Sequence, residues 1–445
     1  MVGVWFPSHR AFISVLLVLI SALLPSAGLV GVPAETPEPI IAVGDVHNDF
    51  DDFVAILQRS GLLDKQNHWT GGKATFVQVG DLLDRGPNPR EVMDLIMALE
   101  KEAGQAGGRV VSLLGNHEVM NIMGDLRYVR PMNYSSFAGS HSEERRKTAY
   151  DEYLKWRGSH SALLAELPQP MELTEAEWMA RHPLGFIEQR EAFGMKGHYG
   201  EWLRGHVAVA EIRGIIFLHG GIHPDLAETT VDAINNRIRD EVKAFDALKQ
   251  YLQKEGLILP FFNLQEINNV LQAEVIAELK SRVSANAERQ AKIQEFLKQQ
   301  NWLSVQVDGP LWFRGYDRWT DEEGGPRVTE VLNAYNATHI IVGHTVQQGG
   351  RIRPRFANKV FLIDTGMLSS YYQGGRPSAL VICGDAKFIA LYLDQQVVLV
   401  DSHRVSFQGD WPGGHRGAQD AGTASEKESS SLPDRTCSAT TAAPQ

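Results

Sequence analysis

Short apolar segments recur along this 445-residue chain, and each is followed at once by glycine, by a polar side chain that can bind metal, or by both. We predict strands at residues 39–43, 74–79 and 109–114, separated by helices at residues 50–60 and 88–103. Strands that alternate with helices favour an α/β fold with a parallel core sheet. The carboxyl ends of such strands meet at one edge of the sheet, where ligands bind.

The same pattern returns later in the chain. Further strands are predicted at residues 214–218, 339–342, 360–363, 379–382 and 387–392. A single Asp-x-His or Gly-Asn-His-Glu motif is typical of an ordinary turn or cap. Here polar residues of one chemical kind follow strand after strand, which predicts a shared site. Its candidate metal ligands are Asp45, His47, Asp81, Asn116, His219 and His344.

The candidate ligands are chemically coherent. Carboxylate and amide oxygens together with imidazole nitrogens suit Mn, Fe or Zn. Two metal ions about 3.5–4 Å apart share a bridging carboxylate, and Asp81 is the natural bridge. The coordination of one ion would be completed by Asp45 and His47. The coordination of the other would be completed by Asn116, His219 and His344.

The charge balance limits the partners of the chain. Its formal net charge is −11 and it has no block of basic residues, which argues against a nucleic-acid surface. A phosphate would be repelled by the chain as a whole. Two divalent ions held by two carboxylates would give a local charge of about +2 and remove that difficulty.

The N-terminus has the composition of a targeting segment. We predict a signal peptide at residues 1–28, because Arg10 precedes an apolar run of about 14 residues, too short for a typical membrane span; an uncleaved signal anchor is the alternative. Glycosylation sequons at Asn133 and Asn336 fit a secretory route. The endoplasmic reticulum lumen or secretion is expected, with a complex plastid as another destination, and no stable membrane insertion after signal removal.

Two helical insertions are predicted, at about residues 142–202 and 231–300, and a disordered tail at residues 411–445. Cys383 lies in an apolar run and is expected to be a small buried residue, whereas Cys437 lies in the polar tail. Two cysteines supply neither a disulfide framework nor a zinc-finger spacing.

Five motifs together resemble one known family. They are Gly44-Asp45-Val46-His47, Gly80-Asp81-Leu82-Leu83-Asp84-Arg85-Gly86, Gly115-Asn116-His117-Glu118, His219-Gly220-Gly221 and Gly343-His344. This set is similar to the calcineurin-like metallophosphoesterases, and its Asp-x-x-Asp-Arg-Gly form to their phosphoprotein phosphatase branch. The resemblance covers residues 39–395. It implies a four-layer α/β sandwich, two mixed sheets flanked by helices, with the helical insertions added.

A narrower resemblance comes from two further segments. Residues 114–129 and the Asp-Thr-Gly-Met of residues 364–367 are similar to the Shewanella-like protein phosphatases. The Ser-Ala-Pro-Asn-Tyr segment of the eukaryotic serine/threonine phosphatases is missing. Their toxin sensitivity and substrate range therefore do not transfer directly.

The resemblance also implies roles for individual residues. His117 would protonate the leaving oxygen, and Asp84 would orient and charge that histidine. Arg85 would bind phosphate oxygens. Arg314 is the candidate for a second phosphate arginine, with a loop-capping role as the equal alternative, and Arg127 is a third candidate. The implied mechanism is direct in-line attack by a hydroxide that bridges the two metals, so no cysteine nucleophile is expected.

These inferences predict a metal-dependent phosphomonoesterase, a protein phosphatase for phosphoserine, phosphothreonine or phosphotyrosine. One alternative is a small-molecule phosphoesterase such as a dinucleoside polyphosphate hydrolase, which would use the same metals. A third possibility is a non-catalytic phosphate-binding module. A decayed enzyme usually lacks a ligand or the acid, and here the complete set is present.

Overall fold

The computed structural model describes residues 37–167, 173–281, 287–384 and 387–402, together with Cys437. The predicted signal peptide and, apart from Cys437, the predicted tail lie outside the described residues. The strands are β1 Ile40–Val43, β2 Thr75–Gln78, β3 Arg109–Ser112, β4 Val209–Ile212, β5 Ile215–Leu218, β6 His339–Val342, β7 Arg353–Arg355, β8 Val360–Leu362, β9 Ser378–Cys383, β10 Lys387–Tyr392 and β11 Gln396–Asp401.

Helices surround these strands. Those of the first half are α1 Phe50–Arg59, α2 Pro89–Ala106, α3 Asn116–Met123, α4 Pro131–Ser135, α5 Ser142–Ser159, α6 Ser161–Leu164, α7 Glu175–Arg181, α8 Phe186–Ala192 and α9 His198–Arg204. Those of the second half are α10 Val231–Lys254, α11 Leu264–Ser281, α12 Ala287–Leu297, α13 Gly315–Arg318 and α14 Asp321–Ala334. Short 3₁₀ helices lie at Pro224–Leu226 and Lys298–Asn301.

The strands form two mixed sheets. The first has the order β11-β10-β9-β1-β2-β3, in which β1, β2 and β3 are parallel and the remaining pairs are antiparallel. The second has the order β4-β5-β6-β8-β7, in which β5, β6 and β8 are parallel and both edge strands are antiparallel. The predicted α/β fold with two mixed sheets flanked by helices is confirmed.

Along each strand, successive side chains point to opposite faces of the sheet. In β1, Ile40 and Ala42 join a core between the two sheets, whereas Ile41 and Val43 pack on the helical side. This follows from the period of two in a strand. Other members of the inter-sheet core are Val77, Val79, Leu113, Phe217, Ile341, Phe361, Leu380 and Phe388. Burial on both faces explains why the parallel strands are continuous apolar runs.

Helices of the insertions pack around α3, and α10 also packs against β4. The longest helix, α10, begins at Thr230, whose side chain accepts a hydrogen bond from the Ala233 N–H. Its buried apolar residues are Ile234, Ile238, Val242, Phe245, Leu248 and Leu252, at the three- and four-residue spacing of one helix face. Each large side chain buried this way contributes roughly 1.5–3 kcal/mol. Among the described residues, no helix combines the length and the apolar character needed to span a membrane.

The cysteines differ from the expectation. Cys383 ends β9 and forms a disulfide with Cys437, with a Cα–Cα distance of 5.3 Å. The expectation that Cys383 is buried is confirmed, whereas the expectation that the two cysteines supply no disulfide framework is wrong. The two residues are 54 positions apart, and spacing of this kind does not reveal which cysteines meet.

Candidate active site

The ends of the parallel strands from both sheets meet at one place. Asp45 follows β1, Asp81 follows β2, and His344 follows β6. The His344 N–H donates to Asp45 Oδ1 at 2.9 Å, and this bond joins the end of the second sheet to that of the first. His219, which follows β5, lies with Nδ1 3.1 Å from the carbonyl oxygen of Val79. The fold thus brings strand ends from distant parts of the chain into one buried cluster.

Two glycines allow this close approach. Gly80 has φ of +94°, and a Cβ added there would lie 2.5 Å from the backbone nitrogen of Gly115. A Cβ on Gly343 would lie 2.4 Å from Asp45 Oδ1. Non-glycine residues of the cluster also have left-handed backbones: His47, Asp81, Asp84, Arg85 and His344. Such strained conformations concentrate at functional sites.

Asp81 lies at the centre of the cluster. Its Oδ2 is 3.1 Å from His219 Nε2, 3.7 Å from His117 Nε2 and 3.9 Å from His47 Nε2. Burial favours the neutral carboxyl, but the charges of His219 and His117 outweigh it and hold the pKa of Asp81 well below its usual value. Asp81 is therefore an ionised carboxylate that faces ligand atoms on both sides.

The remaining predicted ligands divide around Asp81. On one side His47 Nε2 lies 3.7 Å from Asp45 Oδ2. On the other, His219 Nε2 lies 3.0 Å from both Asn116 Oδ1 and His344 Nδ1. Donor atoms of His47, Asp81 and His117, and those of Asp81, His219 and His344, lie within 4.8 Å of one another. These are two adjoining groups that share one carboxylate.

The donor set fits bound cations. Burial, the charge of His117 and that of Arg85 lower the pKa of His47 well below its usual value, and burial with the charge of His219 does the same for His344. A neutral imidazole is the form that binds metal. Burial and the charges of Asp364 and Asp81 raise the pKa of Asp45. Oδ2 of buried Asp364 has no hydrogen-bond partner among the described residues. Carboxylates this crowded are stabilised by positive charge.

Glu118 holds the loop that follows β2. Its carboxylate accepts hydrogen bonds from the backbone N–H groups of Asp81 at 2.8 Å, Leu82 at 2.9 Å, Leu83 at 3.3 Å and Gly115 at 2.7 Å. Burial and the neighbouring charge of Asp81 raise the pKa of Glu118 to about 7. The side chain thus fixes the position of Asp81 through backbone hydrogen bonds.

His117 belongs by distance to the first of the two ligand groups and is also paired with a carboxylate. Its Nδ1 is 2.6 Å from Asp84 Oδ2, and both side chains are buried. Asn121, one turn along α3, donates to Asp84 Oδ1 at 2.9 Å. Burial opposes a charged imidazole, but the charge of Asp81 and the hydrogen bond that Asp84 accepts raise the pKa of His117. This geometry suits a proton donor.

The sequence-family model of the calcineurin-like phosphoesterases matches residues 38–348, which include every predicted metal ligand. The chain belongs to the calcineurin-like phosphoesterase family. Membership supports phosphatase activity and, with the ligand groups above, the binding of divalent metal ions.

Individual members show the same relationship. Shewanella-like protein phosphatase 2 of Arabidopsis thaliana is 31% identical over 47% of this chain and 53% of its own length. Shewanella-like protein phosphatase 1 of Plasmodium berghei is 26% identical over 76% of this chain and 69% of its own. The solved cold-active protein-tyrosine phosphatase of a psychrophilic Shewanella shares the fold, with a TM-score of 0.51 at 24% identity over 81% of this chain and 80% of that one.

Within this calcineurin-like site, Arg85 lies at the mouth. Its Nη2 lies 3.2 Å from His117 Nε2, and its Nη1 contacts both His47 Nε2 and the Tyr372 hydroxyl. The guanidinium carbon lies 5.4 Å from the ring centre of Tyr128 and 5.2 Å from that of Tyr371. Aromatic faces around a guanidinium stabilise its charge.

The other two predicted arginines differ in position. Nη1 of Arg314 donates to the carbonyl oxygen of His344 at 2.9 Å and to the Thr345 hydroxyl at 3.0 Å, so this arginine adjoins a predicted ligand. The structure does not bring Arg127 into the cluster. Its Nε donates to Asp125 at 2.9 Å in an exposed pair, and the next residue, Tyr128, contacts His117 instead, with ring centres 5.0 Å apart.

Several residues of the site were not predicted. Asn121 was detectable, because a residue four positions after His117 lies on the same helix face. Tyr371 and Tyr372 left no such signal, because nearly the whole described chain separates them from Arg85, 287 positions in the case of Tyr372. Nothing in an isolated Tyr-Tyr pair distinguishes a site residue from a surface one.

Proposed function

We propose that the chain is a phosphoprotein phosphatase that hydrolyses phosphate monoesters of serine, threonine or tyrosine side chains. The observation that carries this proposal is the buried His117–Asp84 pair beside the shared carboxylate Asp81. A proton donor next to a metal site is what a poor leaving group such as an alkoxide requires. The two Shewanella-like protein phosphatase relatives support a phosphoprotein as the substrate.

Each residue of the cluster then has a task. The residues that would hold two Mn, Fe or Zn ions are Asp45, His47, Asp81, Asn116, His219 and His344. When bound, such ions lower the pKa of a water molecule and neutralise phosphoryl oxygens. Arg85 orients the phosphate through its planar guanidinium, with Arg314 as a second donor beside His344. His117 gives its proton to the leaving oxygen, and Asp84 holds the ring by Nδ1 so that Nε2 carries that proton.

The rim of the site favours an extended substrate. Arg130 is exposed, and its guanidinium carbon lies 5.1 Å from the ring centre of Tyr371, which is 43% exposed. Tyr371 in turn adjoins Arg85 at the mouth. An exposed cation and an exposed aromatic ring next to the phosphate arginine offer contacts to the residues that flank a phosphorylated side chain.

We expect the purified protein to contain close to two metal ions per chain and to hydrolyse phosphoserine, phosphothreonine or phosphotyrosine peptides faster than a dinucleoside tetraphosphate. Metal analysis beside a peptide panel with equal substrate concentrations measures both. Chelation should abolish turnover, and added Mn²⁺ should restore it. Faster turnover of the dinucleotide would replace the protein-phosphatase assignment with a small-molecule one, and no turnover of any ester at full metal content would indicate a binding module.

We also propose that the chain enters the secretory pathway. The apolar N-terminal run is the first support. The Cys383–Cys437 disulfide is the second, because such bonds persist mainly in oxidising compartments. A C-terminally tagged protein that is wholly cytosolic by microscopy would contradict this proposal.

The two sequons differ in exposure, which gives a sharper test of the same proposal. Asn133 is buried and accepts a hydrogen bond from the Arg130 N–H at 2.7 Å, whereas Asn336 is exposed after α14. We expect a glycan at Asn336 alone. Thr338→Ala should remove the glycosidase-sensitive mobility shift, and Ser135→Ala, the matched control at the other sequon, should leave it. A shift abolished by Ser135→Ala, or no shift in the unaltered chain, would be the contrary result.

A further inference from the structure

A separate cavity lies among the insertion helices. Its volume is about 640 Å³, within the range of small-molecule sites. Its wall includes Ile122 from the last turn of α3, Ala149 from α5, Arg190 from α8, Lys249 from α10, and Phe261. None of the lining residues belongs to the strand-end cluster, so this cavity is distinct from the phosphatase site.

Arg190 is a buried cation without a matching anion. It is 3% exposed, and its Nη1 donates to the carbonyl oxygen of Asn121 at 3.0 Å. Its Nε has no partner, and among the described residues no carboxylate oxygen lies within salt-bridge distance of its guanidinium. Burial lowers the pKa of Arg190 to about 10. The carbonyl of Asn121 satisfies one donor, and the carboxylate of Glu266 acts on the charge only from beyond salt-bridge distance.

Lys249, on the facing helix, is a second cation of the cavity wall and is half-buried. Within the part of the chain that the structure describes, its ammonium group has neither a hydrogen bond nor an ion pair. Burial, and next the charge of Arg190, lower the pKa of Lys249 to about 7. Two cations that repel each other inside one cavity are costly unless an anion joins them.

The other charges of the cavity are already accounted for. Arg204 makes two hydrogen bonds of 2.8 Å to the carboxylate of Asp246, and Arg145 pairs with Glu191. Glu144 and Glu152 are exposed at the wall and extend toward solvent. Among the described residues, Arg190 and Lys249 are therefore the cations of the cavity wall that make no ion pair.

We propose that this cavity is a binding site for a small organic anion whose phosphate or carboxylate group lies between Arg190 and Lys249. Charge-assisted bonds to both cations would satisfy the donors that the protein leaves open. Ile122, Ile187 and Phe261 offer an apolar wall for the carbon part of the ligand. Exposed carboxylates at the entrance favour a ligand whose other end carries hydroxyl or amino groups.

The cavity is connected to the proton donor by hydrogen bonds. Arg190 binds the carbonyl oxygen of Asn121, and Gln189 Nε2 donates to the Asn121 side chain at 3.1 Å. Asn121 in turn donates to Asp84. An anion on Arg190 therefore acts on the residue that holds Asp84, and we expect occupancy to change kcat at saturating phosphopeptide.

Sulfate is the first probe, tested on the full chain. Lys249→Met removes one cation, and Lys243→Met, at an exposed position of the same helix, is the matched control. We expect the sulfate affinity measured by thermal shift to fall roughly 10- to 100-fold in Lys249→Met, the loss of one charged hydrogen bond, and to stay unchanged in Lys243→Met. The metal site is intact in both variants, so any sulfate bound there contributes equally to the two thermal shifts.

Selenate locates the site directly. Crystals of the full chain soaked in selenate should show anomalous selenium density between Arg190 and Lys249. Equal sulfate affinity in Lys249→Met and Lys243→Met, or selenium at the strand-end cluster alone, would overturn the anion site. An unchanged kcat in sulfate, with selenium present in the cavity, would overturn its connection to Asp84.

Discussion

Replacing His117 with alanine is expected to lower the turnover of a phosphate ester by roughly 10²–10⁴-fold and to leave the metal content unchanged. His117 Nδ1 is bonded to Asp84 at 2.6 Å, and Nε2 faces Asp81 Oδ2 at 3.7 Å. The charge of Asp81 and the bond to Asp84 raise the pKa of this imidazole against the effect of burial. The imidazole therefore keeps its proton to a higher pH than an ordinary histidine does, as a proton donor requires.

The backbone explains why metal should remain in this variant. The His117 N–H, which alanine keeps, donates to Asp81 Oδ1 at 3.0 Å and helps to hold that carboxylate in place. His117 Nε2 also lies near the ligand atoms of His47 and Asp81. Metal analysis of the variant thus separates two roles. A loss of one ion per chain would make His117 a ligand rather than the acid.

The leaving group supplies the second comparison. Phenyl phosphate releases a phenoxide whose conjugate acid has a pKa of about 10, as for tyrosine, whereas p-nitrophenoxide leaves readily without a proton. His117→Ala should slow the phenyl ester far more than the nitrophenyl ester. His68→Ala, at an exposed histidine paired with Glu102, is the control and should change neither rate. An equal loss with both esters would contradict the assignment of His117 as the proton donor.

The strands that carry the site were predictable, whereas of the edge strands in the described part of the chain only β3 was predicted. The parallel strands β1 and β5 are buried on both faces, so their apolar runs show in the sequence. β7, with the sequence Arg-Pro-Arg, is an edge strand whose charges and proline hide its pairing. β11 pairs only with β10 and has no fully buried residue, so its pattern was too weak to detect.

The site shows a similar division. Site residues placed directly after a strand can be predicted from the sequence, because their position is informative and their side chains are all of kinds that bind metal. Residues that support them from elsewhere cannot. Glu118 was read as part of a motif, yet its work of binding four backbone N–H groups depends on the folded loop after β2. Tyr371 and Tyr372 reach Arg85 only through the fold.

Asp81→Asn and Asp84→Asn form a matched pair with opposite expected effects on metal binding. Both aspartates have left-handed backbones, with φ of +57° and +70°, a conformation that asparagine also tolerates. Both side chains are buried and each keeps its shape on substitution. The comparison therefore isolates the carboxylate charge at two positions three residues apart.

Only Asp81 touches both ligand groups. Its Oδ2 lies 3.1 Å from His219 on one side and 3.9 Å from His47 on the other, whereas Asp84 contacts His117 and Asn121. An amide in place of Asp81 removes the one negative charge that the two ions would share. We expect Asp81→Asn to lose metal and activity together, with turnover at least as low as in His117→Ala.

Asp84→Asn should behave differently, because it leaves every ligand in place. We expect a metal content equal to that of the unaltered chain and a fall in turnover, since the Asp84 carboxylate no longer stabilises the proton on His117. Metal analysis by mass spectrometry, with circular dichroism to show that both variants are folded, measures the contrast. Full metal content in Asp81→Asn would remove Asp81 as the bridge, and metal loss in Asp84→Asn would show that the acid pair and the metal centre are not separate parts of this site.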